Sequence, residues 1–396
     1  MSKYLLVSLP LTGHVYPMAA VAQALTQRGH RVAWAGSESF LRPVAGPDAE
    51  IYPIPLRLHR GVAERGLAAT KSRWEGYIIP HARVTRKGIA AAAQEFQPDA
   101  MVVDQHAIAA AIVAQQSGKP WATVAQTSME LTRPFLHTMP KVESWIHERM
   151  AEIWTAGGLP GAPPFDLRFS PHLVIAFTSP ALTGDLVWPP NAKLVGPALA
   201  ERPPTGEFPW DWLDPGRRHV LVSMGTLSLD HAAKGFYARI LQALNALNGT
   251  VQAVVLAPDG AVTEPPSHVL VRERVPQLEL LPHLDAVVSH GGLNTVCEAL
   301  SHGIPLVIAP VKGDQAINAS QVARAGAGLR VSFDRASPAG LRDALLAVLD
   351  NAGFRAAAGR VRESFAQAGG AGAAAEHLEQ LVGADQKRSE ARETVS

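Results

Sequence analysis

Residues 287–315, VVSHGGLNTVCEALSHGIPLVIAPVKGDQ, restrict the fold of this chain more than any other stretch. A short apolar run ends at Ser289-His290, and a glycine pair follows. Helical spacing begins near Leu293, and a second apolar run, PLVIAP, precedes the polar pair Asp314-Gln315. Runs this short and this apolar suit strands covered on both faces. Joined through a helix, two such strands lie parallel with a right-handed crossover. The block therefore predicts one unit of a covered parallel sheet.

The same block sets a chemical expectation. The first N–H groups of a helix have no partner inside it, and the helix dipole favours negative charge there, so the turn His290-Gly291-Gly292 suits a diphosphate. Paired glycines let the backbone approach a bulky anion closely. A lone histidine is as readily a packed core residue, but the glycines beside it and Glu298 downstream favour a phosphate contact. Asn294 and Thr295 suit helix N-caps and phosphate partners alike. Glu298 lies one turn after Asn294 on the same helix face, inside the apolar stretch VCEAL, which argues against a purely solvated charge. Asp314 suits an N-cap or a ligand group, and Cys297 a small buried packing residue.

Strand and helix patterns alternate along the rest of the chain. KYLLVSLP, HRVAWAG, DAMVVDQ and PWATVAQ have strand character. PMAAVAQALTQRG suits a helix with Pro17 at its first position and Gly29 as its stop, and AIAAAIVAQQSG suits another helix. The region 129–170 is irregular and predicts helical insertions with loops. A stretch rich in Pro, Gly and charge, residues 199–216, then interrupts the pattern. Beyond it RHVLVSMGT, VQAVVLAP and VLVRERVP restart the alternation. The expected fold is α/β, with two doubly wound Rossmann-like domains: residues 1–198, a linker at 199–216, and residues 217–384. A C-terminal helix over 339–382 is expected to pack back on the first domain, followed by a flexible polar tail at 385–396. Ligands in such sheets bind beyond the carboxyl ends of the strands.

Composition excludes several classes. With 396 residues, 47% hydrophobic and 18% charged, the chain has length for two cores and is not disordered. A net charge of +1 gives no electrostatic reason for a nucleic acid or an anionic membrane as partner. The single cysteine excludes an internal disulfide and a cysteine-built metal site. Pro10, Gly13, His14 and Pro17 break the apolar N-terminal run, so it does not suit a signal peptide. No segment approaches the ~20 apolar residues of a membrane helix. A soluble, cytoplasmic protein is expected. No G-x-G-x-x-G follows the first strand, which argues against a nicotinamide oxidoreductase.

The block 287–315 closely resembles the donor-sugar signature of nucleotide-sugar-dependent glycosyltransferases of the GT-B fold, the UDP-glycosyltransferase superfamily. The short, Ala- and Pro-rich form is most similar to bacterial natural-product and macrolide enzymes. The resemblance implies two domains facing a cleft, with His290, Gly291, Gly292, Asn294 and Thr295 on the donor phosphates and Glu298 on the ribose hydroxyls. It assigns Gly225 and Thr226, in VSMGT, to the phosphates and sugar. Asp314 and Gln315 would take hydroxyls of the transferred hexose, often glucose. Where plant members carry W-x-P-Q, this chain has Arg274-Val275-Pro276-Gln277. An arginine plane can stack on a base, and the Val275 backbone can read a pyrimidine edge, so UDP and dTDP donors both stay open.

His14, in T-G-H-V-Y-P, matches the family's G-H-x-x-P and is implied to be the general base. Asp104 is implied to hold the histidine tautomer, although an Asp ending a strand can simply cap the next helix and His106 stands close by. The implied reaction is a single displacement with inversion. It needs no metal and no cofactor beyond the nucleotide-sugar co-substrate, since the chain lacks the Asp-x-Asp pair of metal-dependent sugar transferases. The acceptor would be a small hydrophobic natural product (polyketide, macrolide or aromatic) bound by residues 55–145. Trp74, Tyr77, His81, Met129, Phe135, His137 and Trp145 are candidates, each equally suited to the core, and about half of them are expected to line the pocket. No nucleic acid and no stable membrane insertion is expected. The alternative is a non-catalytic GT-B helper that binds a partner enzyme, against which the intact His14, Asp104, His290, Glu298 and Asp314-Gln315 set argues. A sugar-nucleotide epimerase is opposed by G-H-x-x-P.

Overall fold

Along the first strand, Leu5 and Val7 enter one apolar layer while Tyr4 and Leu6 enter another, so the strand is covered on both faces. In the second half of the chain Leu221 packs into one layer, and Val220 and Val222 into its opposite. Strands of this kind can sit only in sheets flanked by helices on both sides. The computed structural model describes residues 1–55, 66–199, 207–225 and 231–393, and among these it has two parallel sheets. The first contains β1 (Lys3–Val7), β2 (Arg31–Gly36), β3 (Glu50–Pro53), β4 (Ala100–Asp104), β5 (Trp121–Ala125), β6 (Leu173–Ala176) and β7 (Ala192–Leu194). Its order is β3-β2-β1-β4-β5-β6-β7. The second contains β8 (Arg218–Ser223), β9 (Val251–Leu256), β10 (Val269–Arg272), β11 (Ala286–Ser289), β12 (Leu306–Ile308) and β13 (Gly328–Arg330), ordered β10-β9-β8-β11-β12-β13. The expected pair of doubly wound parallel α/β domains is observed. In each, the order reverses once, between β1 and β4 and between β8 and β11.

The chain divides into two compact units. The first comprises residues 1–178, 187–203 and 368–396, and the second residues 179–186 and 204–367. A single boundary at residue 198 is therefore too simple. The segment Ser179–Leu186 belongs to the second unit, where Leu182 is buried in the core. The region 339–382 is not one helix but parts of three, Pro338–Asp350, Ala352–Ala368 and Gly370–Glu393. Gly369, at φ +84°, provides the left-handed turn that separates the last two. The final helix runs on to Glu393, so residues 385–393 are helical and not a loose tail. Its Ala374, Ala375, Leu378 and Val382 share an apolar layer with the helix Thr12–Gln27, and Glu379 accepts hydrogen bonds from Arg28 and pairs with His30.

One further expectation is corrected. The first helix starts at Thr12, so Pro17 lies inside it and withholds one N–H beyond the first turn. Of the aromatic candidates for an acceptor wall, Trp74 and Tyr77 are only 2% exposed and packed in the core, and His81 is also buried. A helical aromatic announces burial but not which surface it serves. Phe135 and Trp145 are partly buried against that core, His137 is exposed, and the side chain of Met129 lies outside the described residues. In the region 129–170, the helices Ser128–Thr132, Pro134–Thr138 and Pro140–Ala156 lead to buried Arg168, which is paired with Asp166 and Glu143. Among the described residues, no helix is long and apolar enough to cross a membrane.

Candidate active site

The reversal of strand order between β1 and β4 brings two chain segments together beyond their carboxyl ends, and the first group of site residues stands there. Asp104, the last residue of β4, is fully buried. His14, in the first turn of the helix after β1, donates from Nδ1 to Asp104 Oδ2 at 2.7 Å. The same oxygen accepts from the Leu9 N–H at 3.1 Å and the Ser8 hydroxyl at 3.3 Å, while Oδ1 accepts from the His106 N–H at 2.9 Å. Burial drives the carboxyl pKa upward, but the charge and hydrogen bonds of His14 and the neighbouring His106 outweigh it and hold the group at about 2, below its usual 3.8. An ionised carboxylate only accepts, so the shared proton resides on His14 Nδ1 and leaves Nε2 as the basic atom. The side chain of Asp104 does not cap the next helix, whose N-cap is Ala107.

The ring of His106 lies 5.8 Å from that of His14, centroid to centroid, and its Nδ1 accepts from Arg73 Nη2 at 3.3 Å. His14, Asp104 and His106 have ligand-type atoms within 4.8 Å of one another, as do Glu143, His147 and Asp166. In the first trio both Asp104 oxygens are already engaged by donors. In the second the Arg168 guanidinium already supplies the cation. Neither trio is arranged as an open metal cage.

In the second unit, the reversal between β8 and β11 sets Ser223 beside Ser289, and the chain runs on to Gly225 and His290. Here glycine is required by space. A Cβ on Gly225 (φ +64°) would stand 2.6 Å from His290 Cε1, and one on Gly292 would stand 2.7 Å from its Nε2. The imidazole is thus held between two residues that lack side chains. A Cβ on Gly291 (φ +88°) would meet Ile308 at 2.7 Å. Gly292 is the N-cap of the helix Leu293–Ser301 and brings no side chain of its own to cap it. Asn294 and Thr295 therefore lie inside the first turn and not at the cap position, both half-buried.

Burial lowers the His290 pKa from 6.5 to about 4, and Lys312 nearby adds to the effect. The ring is neutral at physiological pH, with Nδ1 3.4 Å from the Ser223 carbonyl, a long contact for a hydrogen bond. The unfolded chain takes up this proton near pH 6.5 and the folded ring only near pH 4. The stability contributed by a neutral buried imidazole is therefore complete above pH 6.5 and lost as pH falls toward 4. Urea midpoints of the second unit are expected to fall over that window, and a His290→Gln variant is expected to flatten the slope.

Glu298, Gln277, Asp314 and Gln315 stand about the same turn. Glu298 is 2% exposed and accepts from Gln277 Nε2 at 2.5 Å, which ties the segment Arg274-Val275-Pro276-Gln277 to the helix after the glycines. Val275 has its side chain in the core, and Arg274 is exposed. Asp314 is the N-cap of the helix Gln315–Arg324 without a capping side-chain bond. The Gln315 side-chain oxygen accepts from the Val311 and Lys312 N–H groups, each at 2.9 Å, so that atom braces its own loop. Thr226 lies outside the described residues. Three residues were missed from sequence: Arg73, Lys312 and Asn318. Asn318 is buried and donates from Nδ2 to the Gly291 carbonyl at 2.8 Å and to Asp314 at 3.2 Å. Its place four residues after Asp314, on one helix face, is a usable signal.

The chain is similar in sequence and in fold to known proteins. Residues 238–381 match the family model described as erythromycin biosynthesis protein CIII-like, C-terminal domain. The chain is 29% identical over 412 residues to 4'-demethylrebeccamycin synthase of Lentzea aerocolonigenes, covering 92% of this chain and 96% of that one. It is 27% identical over 391 residues to NDP-glycosyltransferase YjiC of Bacillus subtilis (strain 168), covering 95% and 96%. Among solved structures, the glycosyltransferase of kitacinnamycin superimposes with a TM-score of 0.83 at 26% identity, over 96% of this chain and 99% of that one. With its two parallel-sheet domains the chain has the GT-B fold, it resembles bacterial natural-product glycosyltransferases along nearly its whole length, and it is a glycosyltransferase enzyme.

Proposed function

We propose that the enzyme is an inverting glycosyltransferase, moving a hexose, glucose first among the candidates, from a UDP- or dTDP-sugar to a hydroxyl of a small hydrophobic natural product in the cytoplasm. The observation that carries this reading is the 2.7 Å bond from His14 Nδ1 to a carboxylate held ionised, which leaves Nε2 to act as a base. In the proposed step, His14 Nε2 takes the acceptor hydroxyl proton as that oxygen bonds to the anomeric carbon. The bond from this carbon to the diphosphate oxygen breaks, and the nucleoside diphosphate leaves with the electron pair. Asp104 stabilises the imidazolium without taking a proton. The turn 290–292 and the N–H groups opening the helix Leu293–Ser301 receive the diphosphate. A neutral His290 donates to it from Nε2 if its proton moves there from Nδ1, at the loss of only a long contact. Glu298, aligned by Gln277, takes the ribose hydroxyls, and Asp314 with the Gln315 amide takes those of the sugar.

No metal, bound cofactor or nucleic acid enters this scheme. The test is a donor panel of UDP- and dTDP-hexoses against phenolic and macrolide acceptors, read by mass increase, with and without EDTA. Transfer is expected to survive chelation. Loss in EDTA with recovery on adding a divalent ion overturns the metal-free scheme, and purified protein that neither hydrolyses nor transfers any donor favours a non-catalytic helper.

A further inference from the structure

The helix Gly66–Arg73 passes directly into a π-helical turn, Trp74–Ile78, before the helix Ile79–Phe96 begins. Such turns are rare and concentrate at functional sites. Trp74, Tyr77 and Ile78 within it are buried, which fixes the chain just after Arg73. Arg73 itself is half-buried, and its side chain bonds an imidazole nitrogen, His106 Nδ1, at 3.3 Å. Among the described residues, no carboxylate stands within ion-pair reach of it. Arg168, Arg149 and Arg133 of the same unit all have acidic partners. Asp104 does not serve Arg73, because its oxygens are occupied by His14, Ser8, Leu9 and His106.

A guanidinium carries five N–H donors in a planar fork that matches a carboxylate, and removing such a cation from water is unfavourable without a counter-charge. The described residues do not supply that counter-charge. His106 forms the link to the base. It receives Arg73 on one nitrogen, lies 5.8 Å from the His14 ring and donates its backbone N–H to Asp104. Arg73 therefore stands one imidazole away from the atom that deprotonates the acceptor.

We propose that Arg73 forms an anion subsite on the acceptor side, selecting natural products that carry a carboxylate close to the hydroxyl receiving the sugar. The inference rests on His14 being the base and adds a substrate class to it. The test uses a phenolic carboxylic acid and its carboxamide as paired acceptors with one donor, for wild type, Arg73→Gln and Arg73→Lys. Wild type is expected to prefer the acid. In Arg73→Gln the acid-over-amide preference in kcat/KM should fall about 10- to 100-fold, the scale of a charge-assisted hydrogen bond, through KM and not kcat. Arg73→Lys should recover part of the preference. Binding of the acid, followed by tryptophan fluorescence, should weaken in parallel, and thermal melting controls for folding. Equal preference in wild type and Arg73→Gln, or a shifted pH profile for both acceptors alike, overturns the proposal and makes Arg73 a positioning residue for the dyad. Transfer to the amide by wild type shows that the enzyme reading stands even then, whereas its absence with every acceptor sinks both.

Discussion

Replacing His14 by alanine is expected to lower kcat by about 10²- to 10⁴-fold while leaving nucleotide binding to the second unit near its wild-type value. The expectation follows from placement. His14 bonds only within the first unit, to a carboxylate 90 residues away in sequence. The groups recorded around His290 belong to the second unit, so the donor turn has no reason to change. Single-turnover rates and calorimetric titration with UDP and dTDP separate the two effects. The companion change, Asp104→Asn, should reproduce most of the kinetic loss. An amide bonded to His14 through its NH₂ group demands the opposite imidazole tautomer and leaves Nε2 protonated. It should also unsettle the fold, because the Ser8, Leu9 and His106 donors converge on atoms that an amide satisfies only in part. A His14→Ala enzyme that keeps wild-type turnover would remove the base from the mechanism.

Valine at Gly225 should weaken donor binding at least about 10-fold and lower the stability of the second unit by about 1–3 kcal/mol. Two causes act together at that position. The backbone sits at φ +64°, where a β-branched residue is strained, and a Cβ would lie 2.6 Å from the His290 ring. Alanine at Gly292 separates them. Its φ of −61° is ordinary, yet its Cβ would press on the same ring at 2.7 Å. Loss of donor affinity in both variants, with the larger melting-temperature drop in Gly225→Val, would identify ring displacement as the binding effect. Unchanged donor affinity in Gly292→Ala would mean that the position of the ring does not matter for the diphosphate.

How far the sequence revealed this molecule depended on whether its chemistry was local. The turn at 290–298 was legible because a strand end, two glycines and a helix start follow one another without interruption. Parallel sheets were legible because continuous apolar runs have few other uses. The pairing of Asp104 with His14 had a weaker signal, since only the rule that strand ends meet at a reversal connects residues 90 positions apart. Trp74 and Tyr77 show the opposite case. Their spacing is compatible with a pocket wall or a core, and packing against strands far off in sequence decided for the core. Arg73 was invisible for the same reason, its neighbour His106 being 33 residues away. The break between the last two helices hinged on Gly369, one glycine among several in an Ala- and Gly-rich run with no other mark.

Asn318 joins two segments of the second unit. One amide group holds the carbonyl of Gly291 and the side chain of Asp314 at once. In the proposed scheme the grip on the leaving group and the choice of sugar therefore share a fastener. Redesign of hexose preference at Asp314 alone should alter nucleotide affinity too, and a library aimed at new sugars would do better to vary positions 314 and 318 as a pair.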